Sequence, residues 1–398
     1  MNHFLVAAVA AAAVSCQLAS AELTKLDKDL AINGPYYRSL VQMKDVVADI
    51  LPPPAYIIES HLTVLRAIDR LETAMMDGAL DVTEASDIEA FIAYGRKLKD
   101  GSPGAFPGYY ERIEVWKKDL SDSTPDEKLI KKLLTVKSAE PATRYFAVRD
   151  ETLEPLLRAG KVAEAKALAR SELKSLYQEH RGAIDAVVTR ARRLTEKIEA
   201  EVAAKLSGAD VAAAEIRIKS PLYTKVILMK DLVSDILPPP AYIIESYLTV
   251  LQQIDECEVA LVDGAVSPDE QSILDGLQEN GRQLESGQSD KGEMAGYAER
   301  IAAWTVDLSS ETPAQAGIKD LMINGTCTPA KAFYKVRNET FLPAIKAGKV
   351  ADAKRIARQE LLPLYEQHRA QIDKLVVAAN ARYEQVQAEV DKLLEASK

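Results

Sequence analysis

The chain has 398 residues, 47% of them hydrophobic and 28% charged, with a formal net charge of −10. That apolar content suffices for two cores of ordinary domain size, and the acidic balance argues against a partner bound through its phosphate backbone, so nucleic acid is not an expected partner. The cysteines Cys16, Cys257 and Cys327 show no spacing suited to metal or haem.

The apolar run Phe4 to Val14, followed by Ala19-Ser20-Ala21, predicts a secretory signal peptide over 1–21, although the usual basic residues before such a run are missing. The expected location is therefore periplasmic or secreted. An alternative takes Ala13-Val14-Ser15-Cys16 as a lipoprotein box that anchors the chain through Cys16. No other stretch has about eighteen unbroken apolar residues, so no further membrane span is expected.

Gly34-Pro35 starts the first predicted helix, with proline in its favoured first turn. Three prolines, Pro52 to Pro54, then interrupt it. Beyond them Ile58, Leu62, Leu65, Ile68 and Leu71 recur at helical steps until Asp77-Gly78. A helix broken in this way leaves carbonyls free near Ala48 to Leu51 and amides free from Ala55 to Ile57. Such a gap suits an anion or a polar ligand, and it equally suits a mere bend.

Further helices are predicted from Thr83-Glu84 to Gly101, from Pro107 through Trp116 to Leu120, from Leu129 to Lys137, and from beyond Pro141 to Ala159-Gly160. The last helix of the unit is long, Val162 to about Leu206, with an apolar seam that includes Ala169, Leu173, Leu176, His180, Ile184, Val187 and Ala191. A short linker over 207–211 follows, and the long helix is expected to run through it almost unbroken.

Then the pattern repeats. Lys44-Asp45 through Pro52-Pro53-Pro54 to Glu59-Ser60 recurs as Lys230-Asp231 through Pro238-Pro239-Pro240 to Glu245-Ser246. Leu176-Tyr177-x-x-His180-Arg181 recurs as Leu364-Tyr365-x-x-His368-Arg369. The chain is a tandem duplication, with units over 22–206 and 212–398. The expected fold is all-α: two tandem antiparallel helical bundles of about four long helices each, end to end, the first helix of each broken by a triple proline.

No motif with a catalytic mechanism is present, so an enzyme is not expected and no cofactor is implied. His180 and His368 lie on the apolar seam, where a core histidine with a hydrogen-bond partner is the commoner outcome and a ligand contact the other. The Glu-x-x-His pairs of di-metal bundles are missing, which argues against a metal centre. Tyrosines and basic residues that recur in both copies form the best candidate binding set, because tyrosine beside arginine offers an apolar wall and charged donors together. In the first copy these are Lys44, Tyr56, Arg149, Tyr177, His180 and Arg181. In the second they are Lys230, Tyr242, Arg337, Tyr365, His368 and Arg369. Packing and pairing inside the bundle is the competing role for every one of them.

The proline motif and the Tyr-x-x-His-Arg run resemble the periplasmic sensor region of some bacterial methyl-accepting chemotaxis receptors. The resemblance implies a four-helix-bundle module that binds a small molecule and passes on a helix displacement. Receptors of that kind continue into a second membrane span and a signalling coiled coil, neither of which follows here. The expectation is an exported sensor-like protein that binds a small molecule, with a leaning to small anions, and presents it to a membrane receptor. The alternative is a helical spacer or adaptor that dimerises or binds a protein partner and takes no small ligand.

Overall fold

The computed structural model describes residues 57–207 and 243–396, apart from positions 79, 103–106, 121, 263–265, 288–295 and 309, together with isolated positions ahead of each block. Both triple prolines, the predicted signal peptide and residues 208–211 of the linker lie outside the described residues, while Ser207, placed in the linker by the sequence, is the last residue of a helix. Those described are all-α, with long helices in two similar halves. None of their helices is long and apolar enough to cross a membrane.

In the first half α1 spans Ile58–Ala74 and ends in a tight turn, Met75–Asp77. Gly78 closes it at φ 91°, a left-handed conformation that glycine adopts without cost. Helix α2, Val82–Asp100, opens on a capping box in which Asp81 accepts from the Glu84 amide and Glu84 answers the Asp81 amide. Helix α3 is Tyr109–Asp119. Helix α4 covers residues 125–158 and opens on a second capping box, Thr124 with Glu127. Helix α5 covers residues 162–207. In the second half the same order gives α6, Ile244–Ala260; α7, Pro268–Ser286; α8, Tyr297–Asp307; α9, residues 313–346; and α10, residues 350–396.

Helix α4 corrects the sequence expectation of two helices parted near Pro141. The run continues because π turns, which carry one extra residue, interrupt α4 at Leu133–Lys137 and Arg149–Leu153, and α9 at Leu321–Gly325 and Arg337–Phe341. A proline inside a helix normally strikes the carbonyl four residues earlier. For Pro141, Pro155, Pro329 and Pro343 that earlier residue lies in a π turn, where the ladder is already widened. At the first of them the Ser138 amide reaches back to the Leu133 carbonyl at 2.9 Å. Pro363 stands in the same relation to the π turn Ala357–Leu361 in α10.

The halves are not stacked end to end. Helix α1 packs on α6, and each half sends basic side chains into acids of the other. At the centre Lys166 and Lys354 both bridge Glu72 and Glu258: Lys166 Nζ lies 2.5 Å from Glu72 and 2.8 Å from Glu258, and Lys354 Nζ 2.6 Å from Glu72 and in contact with Glu258. Burial opposes the charge on Glu72, but the two ammonium groups prevail and hold its carboxyl below the ordinary value. Outward from this ring Arg170 pairs with Asp255 at 2.6 Å, and its counterpart Arg358 with Asp69 at 2.6 Å. These contacts obey an approximate twofold relation between the halves. Two others break it, Arg66 with Glu366 at 2.7 Å and Lys174 with Glu256.

Candidate functional site

The Tyr-x-x-His-Arg motif sits in the middle of α5 and of α10, where three successive roles follow from helical spacing. Tyr177 faces the core and stacks flat on His61 of α1, ring centres 4.5 Å apart at 9°. Tyr365 stacks on Tyr247 at 5.0 Å and 17°. One turn later His180 and His368 are fully buried. His180 Nδ1 lies 2.8 Å from the Ser138 carbonyl, and His368 Nδ1 2.8 Å from the Thr326 carbonyl, each carbonyl directly following a π turn. With Nδ1 donating there, His180 Nε2 is the acceptor, and the Ile57 amide points at it from 3.5 Å. A free amide expected at the start of α1 therefore faces a histidine.

The arginines of the motif face the opposite half. Arg181 Nη2 donates to Glu245 at 3.0 Å, and Arg369 Nη1 contacts Glu59. Glu59 and Glu245 are the first-turn acids of α1 and α6, both nearly inaccessible to solvent. Tyr94 joins the second of these pairs: it donates to Glu59 at 3.2 Å and accepts from Arg369 at 2.8 Å. Burial pushes the Glu59 carboxyl up from its ordinary value, against the opposing pull of Arg369 and Tyr94. Burial likewise pushes the Tyr94 hydroxyl up to about 12, with Glu59 adding to the effect.

Arg149 and Arg337 occupy a different level of each half, in the second π turn of α4 and of α9. Arg149 is buried, donates from Nη1 to the Gly95 carbonyl at 2.8 Å and pairs with Asp150, and its guanidinium lies over the Phe146 ring. Arg337 reaches the Gln278 carbonyl and Glu285, both at 3.4 Å. The close approach needs glycine on the facing helix in the second half, where a Cβ on Gly281 would meet Arg337 at 2.1 Å; in the first half a Cβ on Gly95 would meet Arg149 at 3.4 Å, an ordinary contact.

Among the described candidates, then, Tyr177, His180 and Arg181 share one stretch of α5, while Arg149 connects to them through chains of rings, Phe146 and Tyr109 leading to His180, and Phe146, Tyr145 and His61 leading to Tyr177. Lys44, Tyr56, Lys230 and Tyr242 lie outside the described residues. Sequence reasoning missed Tyr94 and the Lys166, Lys354, Glu72 and Glu258 ring. The ring had a signal, since both lysines and both glutamates recur in the duplication. Tyr94 had none, because its counterpart is Asn280.

No group of three or more histidine, cysteine, aspartate or glutamate side chains among the described residues could hold a metal ion. Cys257 and Cys327 are separate buried thiols. Comparison of the chain with protein-family models, with curated proteins and with solved structures gave no match.

Proposed function

We propose that the chain is an exported, sensor-like protein that binds a small molecule and presents it to a membrane receptor. One observation carries this reading: in each half the Tyr-x-x-His-Arg motif ties the start of the helix that follows the proline motif to the rest of the molecule. His180 faces the first described amide of α1, and Arg181 and Arg369 hold the first turns of α6 and α1 from across the interface. A ligand that moves the start of α1 therefore acts on contacts made by both halves, which is what a sensor needs to convert occupancy into relative displacement.

A second reading, the helical spacer, draws support from Arg149 and Arg337, whose guanidinium groups are taken up by neighbouring carbonyls and carboxylates. Thermal-shift screening of the full chain against organic acids, amino acids and aromatic acids separates the two. A ligand at a hundred times its Kd stabilises by about 2.7 kcal/mol. The sensor reading expects such a shift, weakened in Arg181→Ala. A folded chain that responds to no class of compound overturns it and favours the spacer.

A further inference from the structure

The two halves differ at one place in a way that opens a cavity. In the first half Tyr110 of α3 lays its ring beside Tyr109 and Phe146, at 5.7 and 5.9 Å between centres. At the corresponding position of α8 the second half has Ala298. Where the tyrosine would lie there is a groove of about 520 Å³, within the size range of small-molecule sites. Its floor is apolar and aromatic, from Tyr297, Ile301 and Tyr334.

Charge changes at the same place. Lys331 and Lys335, one turn apart on α9, line the groove, where the first half has Thr143 and Ala147. Neither lysine has a carboxylate within salt-bridge distance among the described residues. Glu285, by contrast, is engaged by Asn338 at 3.0 Å and by Arg337. Glu339 stands on the same wall as an exposed carboxylate. Two unpaired ammonium groups beside an aromatic floor suit a carboxylate with an apolar body, and the nearby glutamates disfavour ligands of higher negative charge.

We infer that the second half carries a binding groove, formed by α8 and α9 around Ala298, for a small monocarboxylate with an aromatic or aliphatic body. The groove does not include Arg181, so it stands whether or not the Tyr-x-x-His-Arg motif serves a ligand of its own.

Isothermal calorimetry on the full chain with phenylacetate and hexanoate, with 2-phenylethanol as the uncharged control, tests this. At least one of the two acids is expected to bind with a Kd at or below about 1 mM. Ala298→Tyr restores the side chain that the first half carries at this position and is expected to weaken binding at least about tenfold with the fold retained. Lys331→Gln with Lys335→Gln is expected to do the same, and Thr124→Ala, at the cap of α4 in the other half, is expected to leave the affinity unchanged. Absence of binding by both acids up to about 10 mM, equal binding of 2-phenylethanol, or an unaltered Kd in folded Ala298→Tyr would each overturn the proposal.

Discussion

His61 offers the sharpest test of how the core is built. It is 1% exposed, lies flat on Tyr177, and has Nδ1 3.3 Å from the Tyr145 hydroxyl. Burial, with Lys174 nearby, lowers its pKa to about 3 from the ordinary 6.5. The folded state thus keeps His61 neutral while the unfolded chain takes up a proton below 6.5. Its contribution is complete above that pH and is lost as pH falls from 6.5 towards 3. Each pH unit in that window costs about 1.4 kcal/mol, so the loss on going to pH 5 is about 2 kcal/mol. The second half has solved the same packing problem without a titrating ring, placing Tyr247 and Phe333 where the first half has His61 and Tyr145. The double variant His61→Tyr with Tyr145→Phe therefore keeps the packing and removes the proton. Calorimetric unfolding at pH 7 and pH 5 should show a wild-type decline of several degrees more than the variant's, since a kilocalorie moves Tm by about 2–4 °C in domains of 150–250 residues. Equal declines in the two proteins would refute the reasoning. So would a variant that is as acid-sensitive as the parent but less stable at pH 7.

Other expectations follow from the same contacts. Arg181→Ala strands the buried carboxylate of Glu245 and should cost about 2–3 kcal/mol, somewhat under the figure for a fully buried pair because the arginine is 30% exposed; Arg181→Ala with Glu245→Gln should recover part of this in a double-mutant cycle by urea unfolding. Gly281→Ala forces the Arg337 guanidinium off its carbonyl and should cost about 1–3 kcal/mol, whereas Gly95→Ala, at ordinary contact distance from Arg149, should be neutral or gain up to about 1 kcal/mol of helix propensity. Thr124→Ala removes the cap of α4 and should lower stability by about 1 kcal/mol in the same assay.

Sequence periodicity made the helices legible because an apolar step of three or four residues has one structural reading. It located Gly78 as the stop of α1 and the seam of α5 through Leu173, His180 and Ala191, all of which are in place. It failed at Pro141, since nothing local announces a π turn; the turn shows only when the ladder around Leu133 and Ser138 is seen to close five residues apart. The partners of the candidate residues were also beyond reach. Arg181 and Glu245 lie 64 positions apart, and Arg358 and Asp69 lie 289 apart, so which acid meets which base depends on how the halves dock. Duplication hid this further, because each residue of the first copy has a twin equally able to be the partner.

The two ion pairs that depart from the twofold relation bear on which neighbour each half accepts. Two copies of the first half, docked in the same manner, could remake Arg181 with Glu59, Lys166 with Glu72 and Arg170 with Asp69, all within one sequence. They would also bring Lys174 against Arg70, which occupies the position of Glu256, and Arg66 against Gln178, which occupies that of Glu366. Like charges face each other in the first case and an attraction disappears in the second. A shared set of contacts makes assembly feasible, and two diverged positions make self-assembly of the first half inferior to union with the second. The duplicated copies have become a matched pair, each bearing a charge code that fits its tandem companion better than it fits itself.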